Sequence, residues 1–151
     1  MIDIVFCQQP NRVKAYDYLK ATDEIFVPPI SQCVDLNHYS EKIAANAYVI
    51  WAVQKQMTIG MCAFYANCPP NAFLTSLSVV PAFQGHGIAK KLLHHLKLWC
   101  SKNAYPYLSL EVYKANAVAT MLYNQSGFQI VQDRNEKWLM TCECAEERLQ
   151  L

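Results

Sequence analysis

Val79-Val80-Pro81-Ala82-Phe83-Gln84-Gly85-His86-Gly87-Ile88-Ala89 carries the chain from a β-rich run into a helical one through a turn that holds two glycines. Residues 73–80 read as a strand, and Pro81, which has no N–H to give a ladder, ends it. Beyond the turn Ile88, Leu92, Leu96 and Trp99 recur at a spacing of 3.6, while Lys90, Lys91, His94, His95 and Lys97 mostly face away. This predicts an amphipathic helix lying on a sheet. Glycines let backbone N–H groups converge unobstructed, and the first N–H groups of a helix have no intrahelical partner. With the helix macrodipole added, the turn suits an anion such as a pyrophosphate, although a glycine turn that merely joins strand to helix reads the same in isolation. Lys90 stands where a dinucleotide fingerprint needs its third glycine and no G-K-[ST] follows, which sets those two phosphate motifs aside.

Outward from this turn the pattern alternates. Residues 2–7 form a short β-rich run, and Pro10 is placed for the first turn of a helix whose Val13, Tyr16 and Leu19 recur at helical spacing. Ile25-Phe26-Val27-Pro28-Pro29-Ile30 cannot be helical through its prolines and reads as a loop over a pocket. A helix follows over 35–45. Strands over 48–53 and 57–66 flank Gln54-Lys55-Gln56, a gap of hairpin length. Asn67-Cys68-Pro69-Pro70-Asn71 turns the chain into the strand before the glycines. After the long helix come a strand over 108–112, a helix over 117–125 stopped by Gly127, and a hairpin of 128–132 with 138–144. The order β-α-α-β-β-β-α-β-α-β-β is α/β (α+β) in character, an antiparallel half before a crossover half. No repeat or linker divides the chain, so residues 1–151 are expected to form one domain.

Two ordered motifs then converge. Gln84, Gly87 and Ala89 fit the pattern Gln/Arg-x-x-Gly-x-Gly/Ala, with Leu77-Ser78-Val79-Val80-Pro81 as lead-in. Leu110-Glu111-Val112, Asn116, Tyr123 and Gly127-Phe128 follow in sequence. Over about residues 74–131 the chain resembles the GNAT superfamily of N-acetyltransferases. The resemblance implies a mixed, mostly antiparallel central sheet flanked by helices, acetyl-CoA as cosubstrate, no metal, and direct attack of a primary amine on the thioester. It further implies that Gln84, Gly85, His86, Gly87, Ile88 and Ala89 hold the phosphate arm. Leu77, Val79 and Val80 would pair with the pantetheine, and an N–H near Val79 would polarise the thioester carbonyl.

Acetyl transfer also requires proton transfers. Tyr123 matches the family's general acid; a phenol can protonate a leaving thiolate. It also reads as a core tyrosine, although Met121 and Leu122 beside it supply an apolar stripe. Asn116 matches a residue that contacts the coenzyme arm, and equally suits a helix N-cap. Glu111 matches the carboxylate that some members use as base through a water, and equally reads as a solvated strand glutamate. The preceding strand, Thr75-Ser76-Leu77-Ser78, has no carboxylate or histidine, which leaves Glu111 or bulk water as base. The family's acceptor pocket would here involve Phe26, Ile30, Tyr39 and Arg134. The favoured acceptor is the amine of a small molecule, with a protein N-terminus, or a non-catalytic acyl-CoA-binding regulator, as alternatives.

Composition bounds the partners. Thirteen basic and 12 acidic residues give a formal net charge of +1, no footprint for nucleic acid or an anionic membrane. The apolar runs fall short of the ~20 residues a membrane-spanning helix needs. The N-terminal residues lack the basic region of a secretory signal, so a cytoplasmic protein is expected. Seven cysteines with no C-x-x-C pair read as reduced thiols rather than metal ligands. Homodimerisation is left open.

Overall fold

A computed structural model describes residues 1–144. Its elements are β1 (Asp3–Cys7), α1 (Arg12–Thr22), α2 (Leu36–Asn46), β2 (Ala47–Gln54), β3 (Met57–Cys68), β4 (Asn71–Val79), α3 (Ile88–Lys102), β5 (Tyr107–Tyr113), α4 (Ala117–Gln125), β6 (Gln129–Arg134) and β7 (Lys137–Glu143). All seven strands join one sheet in the order β1-β2-β3-β4-β5-β7-β6. Only the β4–β5 pair is parallel. The order of helices and strands agrees with that read from the sequence.

Strand alternation sorts the core onto two faces. In β2, Val49 and Trp51 pack with Ala15, Tyr18, Leu19 and Ile43 of α1 and α2, while Ile50 and Ala52 face α3 with its Leu92, Leu93 and Leu96. Trp99 of α3 meets Phe64 of β3 at 5.0 Å between ring centroids in an edge-on contact. The sheet is thus buried between two helical layers, and its central strands are apolar on both sides. Lys55 (φ 49°) and Gln56 (φ 66°) make the two-residue turn between β2 and β3, both in the left-handed region that such a tight hairpin demands.

Three local expectations are corrected. Pro10 lies before α1, whose N-cap is Asn11 with its side chain accepting from the Lys14 N–H (3.0 Å). The buried stripe of α1 is Ala15, Tyr18, Leu19 and Thr22, and Val13 is 55% exposed. Leu19, expected in the stripe, is buried, and Ala15, Tyr18 and Thr22 complete the 0, 3, 4, 7 spacing in place of Val13 and Tyr16. In α4, Met121 is 62% and Val118 84% exposed, and Tyr123 is the residue that reaches the core, at 8%.

Candidate active site in the β4–β5 wedge

The parallel ladder between β4 and β5 ends at Leu74 and Leu110. β4 nevertheless stays paired with β3 up to Val79 opposite Gly60, and β5 with β7 up to Tyr113 opposite Lys137. The two strands therefore part, and a wedge opens between residues 75–79 and 111–113. A bulge explains the parting. Ser76 pairs with Ala63 but Leu74 with Phe64, so Thr75 is an extra residue, the kind of insertion that bends a strand. Tyr39 of α2 donates its hydroxyl to the Thr75 carbonyl (2.9 Å) and lies 2.7 Å from Thr75 Oγ1. Tyr18 of α1 donates to the Ser78 carbonyl (3.1 Å) and accepts from Ser78 Oγ (3.1 Å). Burial pushes both phenols up to about 12, so they keep their protons and remain donors.

A cavity of about 290 Å³ fills the wedge. Its wall includes Phe26, Ile30, Tyr39, Leu77, Glu111, Asn116 and Tyr123 of the residues singled out above, together with Tyr113, Cys33 and Lys137, which were not. Arg134 stands outside the wall on β6, with Nη1 2.9 Å from Glu111 Oε2 and Nε 2.8 Å from Gln132 Oε1. Lys137 Nζ lies 3.9 Å from Glu111 Oε1 and 4.8 Å from the Tyr113 ring centre. Period-two alternation could have found Tyr113, since it shares a strand face with Glu111. Lys137 needed the β5–β7 register, which sequence spacing does not supply. Cys33, on the loop before α2, is 3.3 Å from the Tyr113 hydroxyl and raises that phenol to about 12, burial adding to the effect.

Tyr123 is placed by the end of its helix. The Gly127 N–H bonds the Asn124 carbonyl (3.2 Å) and the Phe128 N–H bonds that of Tyr123 (3.0 Å), a Schellman closure made possible by Gly127 at φ 95°. The ring packs edge-on to Phe128 at 5.7 Å. Burial, with Cys62 close by as a lesser cause, raises the Tyr123 phenol well above its ordinary value. Its hydroxyl makes no hydrogen bond among the described residues. Asn116 caps α4, its side chain accepting from the Ala119 N–H (3.1 Å).

At the far end of β4 the Val80 N–H is spent on the Ile59 carbonyl (2.8 Å). Alternation then turns the N–H and C=O of Val79 toward the open side, where its carbonyl accepts Gln84 Nε2 (3.0 Å). That bond ties the glycine turn to the strand end. Val80 itself faces a depression beside α1 lined by Tyr18 and Thr58. Gly85 (φ 82°) and Gly87 (φ 77°) both lie in the left-handed region, and a Cβ built on either meets nothing within 4 Å. The turn is therefore glycine for its dihedrals, with open space in front. Gly87 is the N-cap of α3, no side chain caps the helix, and its first turn has no acid. Gln84, Gly85, His86 and Gly87 are exposed, Ala89 half-buried and Ile88 buried. Exposed, uncapped N–H groups with a helix dipole behind them are what an anionic group needs.

Among the described residues no group of three or more His, Cys, Asp or Glu side chains could hold a metal. None of the seven cysteines is in a disulfide. No helix of the described residues is long and apolar enough to cross a membrane.

The profile of the acetyltransferase (GNAT) family matches residues 15–128. A curated relative, the bS18-alanine N-acetyltransferase of Haemophilus ducreyi, is 39% identical over 69 residues, 46% of this chain and 48% of its own length. The chain thus spans about half the length of the curated relative it matches. Among solved structures, an acetyltransferase of the GNAT family from Staphylococcus aureus superposes with a TM-score of 0.78 at 14% identity, over 95% of this chain and 99% of that one. PaiA N-acetyltransferase from Thermoplasma acidophilum, in complex with coenzyme A, gives 0.76 at 16%, over 95% and 99%. The ribosomal-protein-S18-alanine N-acetyltransferase of Escherichia coli gives 0.73 at 19%, over 96% and 95%. This chain belongs to the acetyltransferase (GNAT) family.

Proposed function

We propose that the protein transfers an acetyl group from acetyl-CoA to the primary amine of a small molecule, by direct attack on the thioester. The observation that carries this reading is the wedge: one cavity is lined by Tyr123 of α4, whose ring is buried and whose hydroxyl is unbonded, and by a carboxylate on β5, and the uncapped glycine turn stands at the far end of β4. The phosphate arm lies on the backbone of residues 84–89. Pantetheine runs along the open edge of β4 as an added strand, past Leu77, Val79 and Val80. The Val79 N–H polarises the thioester carbonyl and stabilises the developing oxyanion. The amine enters past Phe26 and Ile30, on the side of the cavity where Glu111 takes its proton through a water, and Tyr123 returns a proton to the thiolate of coenzyme A. Asn116 steadies the coenzyme arm beside the α4 N-terminus.

The test is release of free thiol from acetyl-CoA over a panel of amino sugars, amino acids and short peptides, for wild type and Tyr123→Phe. Thiol release with at least one small amine, lost in the variant, is expected. Tight acetyl-CoA binding without release on any acceptor identifies a non-catalytic acyl-CoA-binding regulator instead. A second reading, acetylation of a protein N-terminal alanine, draws on the similarity to the H. ducreyi enzyme. Peptides with a free N-terminal alanine, turned over faster than any small amine, decide for it.

A further inference from the structure

The acceptor end of the cavity has a charge pattern that narrows the substrate, given the acetyltransferase reading above. Two charged side chains lie in its wall among the described residues, Glu111 and Lys137. They stand side by side, Oε1 to Nζ at 3.9 Å, because Glu111 and Tyr113 occupy one face of β5 and Lys137 pairs with Tyr113 across the ladder. The other carboxylate oxygen, Oε2, is held by Arg134 at 2.9 Å. One negative charge is thus shared between two cations, and the trio has a net charge of +1. A simple amine arriving as an ammonium meets Glu111 but also the like-charged Lys137 beside it. An acceptor that has its own negative charge next to the amine satisfies both. The same cavity is also walled by the apolar Phe26, Val27 and Ile30, contributed by the loop before α2. The cavity is at the small end of the range for ligand sites.

We infer that the acceptor is a zwitterionic α-amino acid with an apolar side chain, its ammonium at Glu111 and its carboxylate at Lys137. Lys137 is then a specificity-determining residue. A peptide N-terminus, whose first carboxylate is an amide, lacks the group that Lys137 selects.

Equilibrium binding to the coenzyme A complex tests this without depending on turnover. Leucine, leucinamide and 4-methylpentanoate are titrated into wild type, Lys137→Gln and Lys137→Arg. Because the pair is partly exposed and screened, leucine is expected to bind about tenfold tighter than leucinamide. The ratio should fall to about one in Lys137→Gln and return in Lys137→Arg, with unchanged melting temperatures. A binding role limited to packing would lower affinity for leucine and leucinamide alike and leave their ratio intact. Equal binding of acid and amide in wild type, a ratio untouched by Lys137→Gln, or no leucine binding overturns the inference. Thiol release run alongside separates the two readings: leucinamide or peptides acetylated in preference to leucine sinks the amino-acid specificity while the transferase stands. No release on any amine sinks the transferase, and the leucine ratio still decides the site.

Discussion

At the scale of single residues, Tyr123 and Tyr39 are in opposite situations. Tyr123 is buried, raised by its burial and unbonded, so its proton is retained at neutral pH and available to a leaving group. Tyr123→Phe is expected to lower kcat by about 10²–10⁴-fold with acetyl-CoA affinity retained, a split read by steady-state kinetics beside calorimetric titration. Equal kcat in the two proteins would remove Tyr123 as the acid. Tyr39 works on the backbone instead. Its hydroxyl is bonded to the Thr75 carbonyl at the bulge, and Tyr39→Phe leaves that carbonyl short of a donor at a cost of about 1–3 kcal/mol, measurable by urea denaturation. The same variant should weaken acetyl-CoA binding, since the bulge it holds opens the wedge. Both tyrosines could be picked out in the sequence, but the sequence could not separate their roles. That difference depends on which hydroxyl finds a partner far along the chain, 36 residues away for Tyr39, and only the packed helices decide it.

At the scale of elements the glycine turn and the wedge differ in how local they are. The strand, proline, two glycines and helix of 79–89 were legible because each signal lies within a few residues of the next. Gly87→Ala puts a side chain at φ 77° with nothing within 4 Å to clash, so its stability cost is the dihedral alone, about 1–2 kcal/mol by denaturant titration. The larger expected effect is on the ligand: the new methyl occupies the space in front of the N–H groups and should weaken acetyl-CoA binding about tenfold or more, while retained affinity would count against the turn as phosphate site. The wedge was not legible. It arises because β4 gains one residue opposite Ala63 and Phe64, and because β7 rather than β4 follows β5 beyond Leu110. Pairing partners far apart in sequence set both. The same holds for Arg134 and Lys137, which β6 and β7 bring to Glu111 from more than twenty residues away. In α1 the buried phase departs from the expected one because Ala15, Tyr18 and Thr22 join Leu19 in the stripe, and in α4 the buried residue is Tyr123 rather than its apolar neighbour Met121.

For the whole molecule, the sheet is held between α1 and α2 on one face and α3 with α4 on the other; Tyr18 and Tyr39 of the first layer bond β4, and Tyr123 of the second lines the wedge beside it. This arrangement has a pH signature. Tyr18 and Tyr39 are held up to about 12 and Tyr123 is raised as well, against about 10 for an unfolded tyrosine. A raised folded value means the unfolded chain loses these protons first. The stabilisation is complete below about pH 10 and is lost as pH climbs toward 12, at roughly 1.4 kcal/mol per pH unit for each such tyrosine. Denaturation midpoints should therefore be level between about pH 7 and 8 and fall steeply above about pH 10, with a shallower fall in Tyr18→Phe. A fall that begins near neutral pH would contradict the assignment.

Whether the glycine turn and the wedge together form the acetyl-CoA site is decided by a crystal structure of the protein with acetyl-CoA. The pyrophosphate is expected on the N–H groups of residues 85–89, the pantetheine along the open edge of residues 75–79, and the thioester sulfur beside the Tyr123 hydroxyl. A coenzyme bound elsewhere, with the turn and the wedge empty, would contradict it.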